Sequence, residues 1–248
     1  MKQLINAEIM ENKEFAQNIY RLIVKTDMSG EPGQFIQVRL PSEEFTLRRP
    51  FGIAAINNGQ LKMFYRVIGR GTKFLTECKS GDVLNLLGPL GNSFDINDDE
   101  KILLIGGGMG LAPLLFVASR AKSVDIFMGG RNAEEVIAWQ NEFKPLVNDM
   151  FVMTDDGSYG NKGFVTDFLP ETLNKNTYNK ILVCGPEIMM RKVATIAKEH
   201  NIACQVSMEK RMACGLGACL SCSIDTVNGR RKVCKDGPIF NAEEVFYV

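Results

Sequence analysis

Hydrophobic and polar positions follow two different rhythms along this chain. Up to about residue 97, short segments such as Phe35–Leu40 (FIQVRL) and Leu61–Val67 (LKMFYRV) alternate apolar and polar side chains, and Gly, Pro, Asn and Asp separate them. Alternation with a period of two indicates antiparallel strands with one buried face. Because several such strands follow one another without a long helical pattern, this region is predicted to form a small closed β-barrel.

The rhythm changes at Lys101. A continuous apolar strand, Ile102–Ile105, runs into the glycine-rich stretch Gly106–Gly110. Helical and strand patterns then alternate, with a helix predicted at 112–120, a strand at 124–128, a helix near 133–143, strands at 150–154 and 180–184, and a helix at 187–200. Alternation of this kind predicts a parallel sheet with covering helices.

These patterns predict a multidomain protein of the β plus α/β class. Residues 1–97 are expected to form an antiparallel barrel, 98–206 an α/β domain, and 207–248 a small C-terminal segment. The last segment has too little apolar sequence for a large core, so a metal centre is expected to supply much of its order.

Composition excludes several classes of partner. Lys plus Arg and Asp plus Glu number 29 each, so no overall positive field attracts nucleic acid or anionic lipid. The N-terminal residues lack the pattern of a secretory signal, and no apolar run approaches membrane-spanning length, so a cytoplasmic protein is expected. An odd total of seven cysteines, with Cys78, Cys184 and Cys204 far apart, argues against a disulfide framework.

Four further cysteines carry the strongest chemical signal. Cys214, Cys219, Cys222 and Cys234 follow the spacing C-x4-C-x2-C-x11-C. This spacing is typical of plant-type iron–sulfur sites and predicts a [2Fe-2S] cluster with these four ligands. A structural zinc site or a set of disulfides is the alternative, although zinc ligands more often form paired C-x2-C knuckles. A single histidine, His200, excludes a Rieske-type centre, which needs two.

The glycine-rich stretch between strand and helix predicts an anion-binding turn. Backbone amides at the start of a helix favour phosphate, which makes Gly107, Gly108 and Gly110 candidate NAD ligands. The stretch is not a strict G-x-G-x-x-G motif, so a purely structural turn is the alternative. A second strand end, Cys184-Gly185-Pro186, falls at the edge where ligands bind parallel sheets. Cys184 could lie beside a nicotinamide there, or could be a buried apolar thiol.

Linking these two chemistries requires a converter. A nicotinamide transfers two electrons together, whereas a [2Fe-2S] cluster ordinarily accepts one, and flavin is the usual converter. The barrel offers Arg48, Arg49 and the stretch 65–72 as guanidinium, backbone and hydroxyl groups for a flavin nucleotide. An arginine pair before proline is also a common solvated surface feature.

In order along the chain, these motifs resemble those of the ferredoxin–NADP reductase superfamily and, within it, the electron-transfer subunits of class B dihydroorotate dehydrogenase. The matching stretches are PGQF (32–35), RPFG (49–52), GRGT (69–72), GPLG (88–91), GGGMGLAP (106–113), CGP (184–186) and the cysteine motif ending CKDGP (234–238). The resemblance implies an FAD-binding barrel, a nicotinamide-binding domain and a C-terminal [2Fe-2S] segment. It also implies electron transfer through the cluster to an FMN in a separate catalytic chain.

The resemblance also assigns residues to the flavin. It implies Arg49 as the pyrophosphate ligand within Arg49-Pro50-Phe51-Gly52 and Phe51 as the aromatic beside the flavin. Further implied FAD contacts are Arg66, Val67, Ile68, Gly71 and Thr72. Gly52 departs from the superfamily, which usually has Ser or Thr there, so a backbone amide is expected to replace the hydroxyl. Glu209 either forms a hydrogen bond with the flavin or only keeps its loop solvated.

Other charged residues have open explanations. The bases around the cysteine motif, Lys210, Arg211, Arg230, Arg231, Lys232 and Lys235, could offset thiolate charge, meet an acidic partner or simply be solvated. Glu134 or Glu135 could bond the ribose hydroxyls of NAD, while Arg131 could accept the 2′-phosphate of NADP; we expect NAD. Asp155 and Asp156 before Gly157 indicate a turn or a position beside the nucleotide.

The resulting hypothesis is an NAD-linked, FAD- and [2Fe-2S]-dependent oxidoreductase subunit in pyrimidine biosynthesis. Its expected partner is the FMN-containing catalytic subunit of dihydroorotate dehydrogenase, in a heterotetramer of two copies of each chain. The alternative within this class is the flavin subunit of a ferredoxin- or sulfide-linked NAD(P)H oxidoreductase. From another class, a non-enzymatic zinc or redox-sensing module would leave the Arg49 and Gly107 motifs without a use.

Overall fold

The computed structural model describes residues 2–247, and its N-terminal region is a closed barrel. Its elements are β1 (Gln3–Ala16), β2 (Ile19–Lys25), β3 (Phe35–Arg39), β4 (Arg49–Asn57), β5 (Gln60–Arg66), α1 (Arg70–Leu75) and β6 (Val83–Leu90). The strands close in the order β1-β2-β5-β4-β3-β6, and every neighbouring pair is antiparallel. Alternate residues such as Leu84 and Leu86 are fully buried inside, which confirms the barrel prediction.

The middle of the chain forms a sheet covered by helices. Its elements are β7 (Lys101–Gly107), α2 (Leu111–Ala118), β8 (Ser123–Gly130), α3 (Ala133–Phe143), β9 (Met150–Thr154), β10 (Asn161–Lys162), α4 (Val165–Lys175), β11 (Lys180–Cys184), α5 (Glu187–Glu199) and β12 (Ala203–Ser207). The six strands are parallel in the order β10-β9-β8-β7-β11-β12. The central strand β7 is apolar on both faces because helices cover both. This confirms the predicted parallel sheet.

The C-terminal segment is built onto that sheet. It contains β13 (Ser223–Thr226), β14 (Gly229–Lys232), α6 (Val233–Asp236), β15 (Ile239–Asn241) and α7 (Ala242–Phe246). Strand β15 pairs antiparallel with β12, so the sheet has a seventh strand from this segment. Ile224, Phe240 and Phe246 share one apolar core with Leu103 of β7 and Val193 of α5. The segment therefore borrows its core from the α/β domain; the domain limits at 97/98 and 206/207 stay predictions.

Several elements escaped the sequence patterns. No helix was expected at α4, because Pro170 lies inside it and proline usually breaks a helix interior. The helix begins where the Asp167 carboxylate accepts a hydrogen bond from the Phe164 amide, 2.8 Å away. Strands β10 and β12 to β15 are too short to show a period. Smaller differences are the start of α2 at Leu111 and its end at Ala118.

An apolar interface joins the barrel to the α/β domain. Trp139 of α3 is fully buried and lies 4.6 Å from the ring of Phe64 and 4.9 Å from that of Phe15, both in the barrel. Glu142, one turn further along α3, pairs with Arg21 and Lys62 of the barrel at 3.1 and 3.0 Å. This contact fixes the cleft in which the candidate sites lie. Across residues 2–247, none of the helices combines the length and the apolar character needed to cross a membrane.

Candidate functional site

The four motif cysteines lie around one loop and one short helix. Cys214, Cys219 and Cys222 belong to the irregular stretch between β12 and β13, here called the cluster loop (residues 208–222), and Cys234 lies on α6. The backbone amides of Leu216 and Cys219 donate to the sulfur of Cys214, each at 3.4 Å. Amides that point at a thiolate sulfur are the environment that stabilises an iron–sulfur ligand.

These thiols group as two pairs. Cys219 donates its amide to Cys214, and Cys234 donates its amide to the sulfur of Cys222 at 3.5 Å. All four are free thiols. Nowhere in residues 2–247 do three or more potential ligands surround a single metal position. Two pairs suit two irons with two ligands each, whereas a structural zinc needs four donors around one ion. The two pairs fit the [2Fe-2S] cluster that the cysteine spacing predicts.

The two pairs differ in exposure, and one thiol of each has a shifted pKa. Cys214 and Cys219, the outer pair, are half-buried, while Cys222 and Cys234, the inner pair, are buried. Burial acts to raise the pKa of Cys214, but the amides of Cys219, Leu216 and Ala218 outweigh it and lower that pKa to about 6. Burial, together with the neighbouring Cys222, raises the pKa of Cys234 to about 12. Metal binding must therefore displace a proton from Cys234.

Two of the bases near the motif contact the cluster loop. Lys232 donates from Nζ to the carbonyl of Gly217 at 2.7 Å. The stem of Lys235 covers the same glycine, whose φ of +83° no other residue adopts easily. Arg230 instead pairs with Asp225 at 3.3 Å on the open surface. Lys210 and Arg211 belong to the loop itself, so most of the predicted basic ring lies in the loop or against it.

The candidate flavin residues converge outside the barrel. Arg49 of β4 lies against Gly71 of α1 so closely that a Cβ there would stand 2.6 Å from the Arg49 Nε. The guanidinium also lies 5.2 Å from the Phe45 ring centre. Ile68 is 83% exposed beside them. A guanidinium, backbone amides at a helix start and an uncovered apolar side chain fit a flavin nucleotide.

The other flavin candidates pack on the barrel or organise the turn that precedes α1. Phe51 packs 5.7 Å from the ring of Tyr65, and Val67 is half-buried against the same barrel core. Pro50 is exposed. The hydroxyl of Thr72 accepts from the amides of Ile68 and Gly69 at 3.0 and 3.2 Å, so it organises the turn.

Arg66 crosses from the barrel to the α/β domain. Its guanidinium pairs with Glu135 of α3, which also accepts the backbone amide and the Nε of Arg131 at 3.1 and 3.2 Å. Burial acts to raise the pKa of Glu135, but these donors lower it, so the carboxylate is charged. The Nε of Arg66 is buried without a hydrogen-bond partner among the described residues, which fits a missing cofactor oxygen. The sequence suggested Arg66 and Glu135 separately and did not pair them.

A cavity of about 640 Å³ opens at the carboxyl ends of β7, β8 and β11. Gly107, Gly108, Gly110, Gly185 and Pro186 all line it, as the sequence predicted for a nucleotide site. A Cβ on Gly110 would collide with the carbonyl of Cys184, so only glycine permits this close approach of α2 to β11. Lining residues without a sequence signal include Phe164, Thr166, Ile188, Met189, Lys192 and Met208.

Cys184 and Glu209 occupy different positions relative to this cavity. Cys184 is fully buried behind the wall, and burial raises its pKa strongly. Glu209 lines the cavity with an exposed side chain, yet the protein around it raises its pKa through desolvation. Asp155 also lines the cavity, while Asp156 accepts from the amide and hydroxyl of Ser158 at 2.9 and 2.6 Å in a turn.

The closed barrel, the parallel sheet with its glycine-rich edge, and the paired thiols define an oxidoreductase with the ferredoxin–NADP reductase fold. The NADH-dependent reduced ferredoxin–NADP oxidoreductase, solved in work on flavin-based electron bifurcation, superimposes with a TM-score of 0.87 at 30% identity, covering 96% of this chain and 89% of the other. A ferredoxin–NADP⁺ reductase from Neisseria gonorrhoeae superimposes at 0.65 with 14% identity, covering 79% and 91%, which shows the shared fold alone.

Comparisons of sequence identify the family. The family model for the iron–sulfur cluster binding domain of dihydroorotate dehydrogenase B matches residues 209–246, and that for the oxidoreductase NAD-binding domain matches residues 104–195. The electron transfer subunit of dihydroorotate dehydrogenase B (NAD⁺) from Clostridium acetobutylicum is 38% identical over 250 residues, covering 99% of this chain and 98% of its own. That from Methanocaldococcus jannaschii, named as probable, is 34% identical and covers 100% and 93%.

The chain belongs to the family of dihydroorotate dehydrogenase B electron transfer subunits. This confirms the predicted family and the oxidoreductase class, and it supports the predicted cofactors FAD, [2Fe-2S] and NAD. The name "electron transfer subunit" implies a catalytic partner chain. The individual ligand assignments stay predictions.

Proposed function

We propose that this chain exchanges hydride with NAD(H) at the 640 Å³ cavity and exchanges single electrons with the FMN of a separate dihydroorotate dehydrogenase catalytic subunit. The observation that carries the proposal is the short connection between the two sites. Glu209 lines the cavity, and Cys214, five residues later, begins the cluster motif. A stretch of that length spans at most about 18 Å. The cavity proposed for NAD(H) and the first cluster ligand therefore lie close together.

Each cofactor has protein groups that suit it. A bound FAD would supply the conversion between two-electron and one-electron transfer. Arg49, with the amides of Gly71 and Thr72, would hold its pyrophosphate, while Phe51 and the amide of Gly52 would flank its ring. The cavity glycines at 107, 108 and 110 would approach the NAD phosphates. The outer and inner pairs would each hold one iron.

The nucleotide preference follows from charge. Arg131, the residue suited to a 2′-phosphate, is already paired with Glu135, and Asp155 lines the cavity nearby. A 2′-phosphate beside Arg131 would therefore also meet the carboxylates of Glu135 and Asp155. NAD is therefore preferred over NADP.

The partner is proposed to cover the outer thiol pair. Leu216 and Leu220 are 44% and 66% exposed on either side of Cys219. Covering them would bury apolar surface and bring the partner close to the more accessible thiols. The proposed assembly is a heterotetramer with two copies of each chain.

A second candidate is a ferredoxin-linked oxidoreductase subunit, which the similarity to the NADH-dependent ferredoxin–NADP oxidoreductase favours. Reconstitution separates the two. With NADH, orotate and a dihydroorotate dehydrogenase catalytic subunit under anaerobic conditions, the first proposal expects dihydroorotate to form. Ferredoxin reduction without any coupling to orotate would support the second instead. Anaerobic co-purification from the native cell identifies the partner independently.

A further inference from the structure

Gln37 is a buried polar residue between the barrel and the cluster loop. It lies on β3 between Ile36 and Val38, which face the barrel core, so its own side chain points out of the barrel. There the cluster loop covers it, and its exposed fraction is 0%. A Cβ added to Gly215, the residue after the first cluster ligand, would collide with its Nε2, so the donor end of the side chain lies against the cluster loop.

The amide of Gln37 lacks adequate partners among the described residues. Its Oε1 accepts no hydrogen bond, and the one hydrogen-bond partner of its Nε2 is the sulfur of Met212, 4.0 Å away. A thioether is a weak acceptor. Burying an amide in this state is unfavourable, and an apolar side chain of the same shape would avoid the cost. The Nε2 group is therefore a buried donor without a strong acceptor, which suits an acceptor such as sulfur at the cluster loop.

The same pair of strands carries the candidate flavin residues. Gln37 is paired directly with Pro50 of β4, next to Arg49 and Phe51. Directly paired residues on antiparallel strands have Cα atoms about 5 Å apart. Gln37 thus stands between the proposed flavin site and the loop that carries Cys214.

We propose that the side-chain amide of Gln37 donates a hydrogen bond to a sulfur of the [2Fe-2S] centre, which raises the reduction potential of the cluster and ties its loop to the flavin-binding barrel. This inference rests on the proposed function, because it requires the cluster. Reduction adds one negative charge to the cluster, and an N–H donor stabilises that charge. Gln37 is a tuning and positioning residue, since it holds no iron itself.

A redox titration of the cofactor-loaded protein, followed by the EPR signal of the reduced cluster, tests the tuning. Gln37→Met keeps the approximate shape and removes the N–H groups. We expect the ratio of reduced to oxidised cluster at a fixed ambient potential to fall about tenfold, which equals about 59 mV for a one-electron couple. The matched control is Gln205→Met, because the Oε1 of Gln205 accepts from the Asp95 amide at 2.9 Å and serves the fold. An unchanged midpoint in a fully loaded Gln37→Met protein would overturn the proposal.

A spectroscopic test does not depend on the variant folding. Wild-type protein labelled with ¹⁵N in glutamine side chains should show a ¹⁵N coupling to the reduced cluster in pulsed EPR. The coupling should persist in Gln205→Met and vanish in Gln37→Met or in the nearly isosteric Gln37→Glu. If loaded wild-type protein shows no such coupling, the proposed role of Gln37 is refuted, while the proposed function of the chain is not. Wild-type protein that assembles no iron and sulfide at all refutes the proposed function as well.

Discussion

The nucleotide cavity and the cluster loop are neighbours that are built in opposite ways. The cavity lies at the ends of β7, β8 and β11, whose positions are fixed by continuous ladders such as Lys180–Cys184 against Ile102–Gly106. Residues 208–222, by contrast, contain neither helix nor strand, and their backbone hydrogen bonds to the rest of the chain include Met208 N–H to the Pro238 carbonyl at 2.9 Å and Val233 N–H to the Cys222 carbonyl at 3.1 Å. The comparison teaches that the backbone forms the cavity, whereas the cluster loop lacks such ladders, so we still expect its metal to supply part of its order.

The largest expected effect is the loss of one inner ligand. Cys222→Ser replaces a buried thiol whose pair with Cys234 holds one side of the loop. We expect iron content to fall to background and the visible iron–sulfur absorption to vanish, while flavin content is retained because the barrel does not use this loop for its own core. The matched control, Cys204→Ser, lies outside the motif and should keep its iron. Full iron loading of Cys222→Ser would disprove the ligand assignment.

Thiol reactivity in metal-free protein sharpens the same contrast. Alkylation requires thiolate, which the lowered pKa of about 6 provides at Cys214 at neutral pH. Cys184 is buried and its pKa is raised, so it reacts only after local opening. We expect iodoacetamide to modify Cys214 on the order of 1,000-fold faster than Cys184 at pH 7, if the local opening that exposes Cys184 costs about 4 kcal/mol.

The pH dependence of the alkylation rate tests the direction of the Cys214 pKa shift. The Cys214 rate should rise as pH increases through about 6 and level off above it, because the thiolate fraction then saturates. Peptide mass spectrometry of timed samples measures both sites. Equal rates at Cys184 and Cys214 would mean that the cavity wall opens as readily as the loop.

Arg49→Ala tests the flavin site on the barrel. Removing a charge-assisted bidentate contact should weaken FAD binding by about 1.5–3 kcal/mol, or roughly 10- to 150-fold, with the iron content unchanged. Arg230→Ala is the control, because its side chain is 66% exposed, pairs with Asp225 on the surface and lies outside the flavin motifs. Flavin fluorescence on titration gives both dissociation constants, and equal values would remove Arg49 from the site.

Gly110→Ala tests whether the cavity depends on backbone contact. The added methyl group would collide with the carbonyl of Cys184, so α2 must shift away from β11. We expect a loss of about 1–3 kcal/mol in the free energy of unfolding by urea, together with weaker NADH binding. Gly69→Ala has open space around it and provides the control. If Gly110→Ala matches wild type in both measurements, the close approach of α2 to β11 contributes neither to stability nor to NADH binding.

The smallest effect is expected at Gly52, where the chain departs from its superfamily. A Cβ there would meet Pro113 at 3.7 Å, an ordinary contact. Gly52→Ser should therefore fold normally and change FAD affinity by less than about 1 kcal/mol, since the backbone amide remains. Flavin content after gel filtration checks this. Loss of flavin would show that the site has no room for a side chain.

The two regions also differed in how far the sequence predicted them. Strands β9 and β11 matched the expected bounds because they are nearly continuous apolar runs, and the 11-residue helix α3 matched because its helical period is clear. Cysteine spacing predicted the cluster motif, which the family comparison supports. The pairing of Gln37 with the cluster loop, and of Arg66 with Glu135, depends on contacts between residues 69 to 175 positions apart, which no local pattern encodes. Helix α4 was missed because Pro170 obscured its period.

The central claim is that one chain connects two-electron transfer at the cavity to one-electron transfer at the cluster. Anaerobic titration of the purified, cofactor-loaded protein with NADH, followed by visible absorption and EPR together, tests it most directly. The account predicts that NADH bleaches the flavin absorption and produces the EPR signal of a reduced [2Fe-2S] cluster in the same protein. A colourless, zinc-containing protein, or a flavin that NADH reduces without any cluster signal at excess NADH, would contradict it.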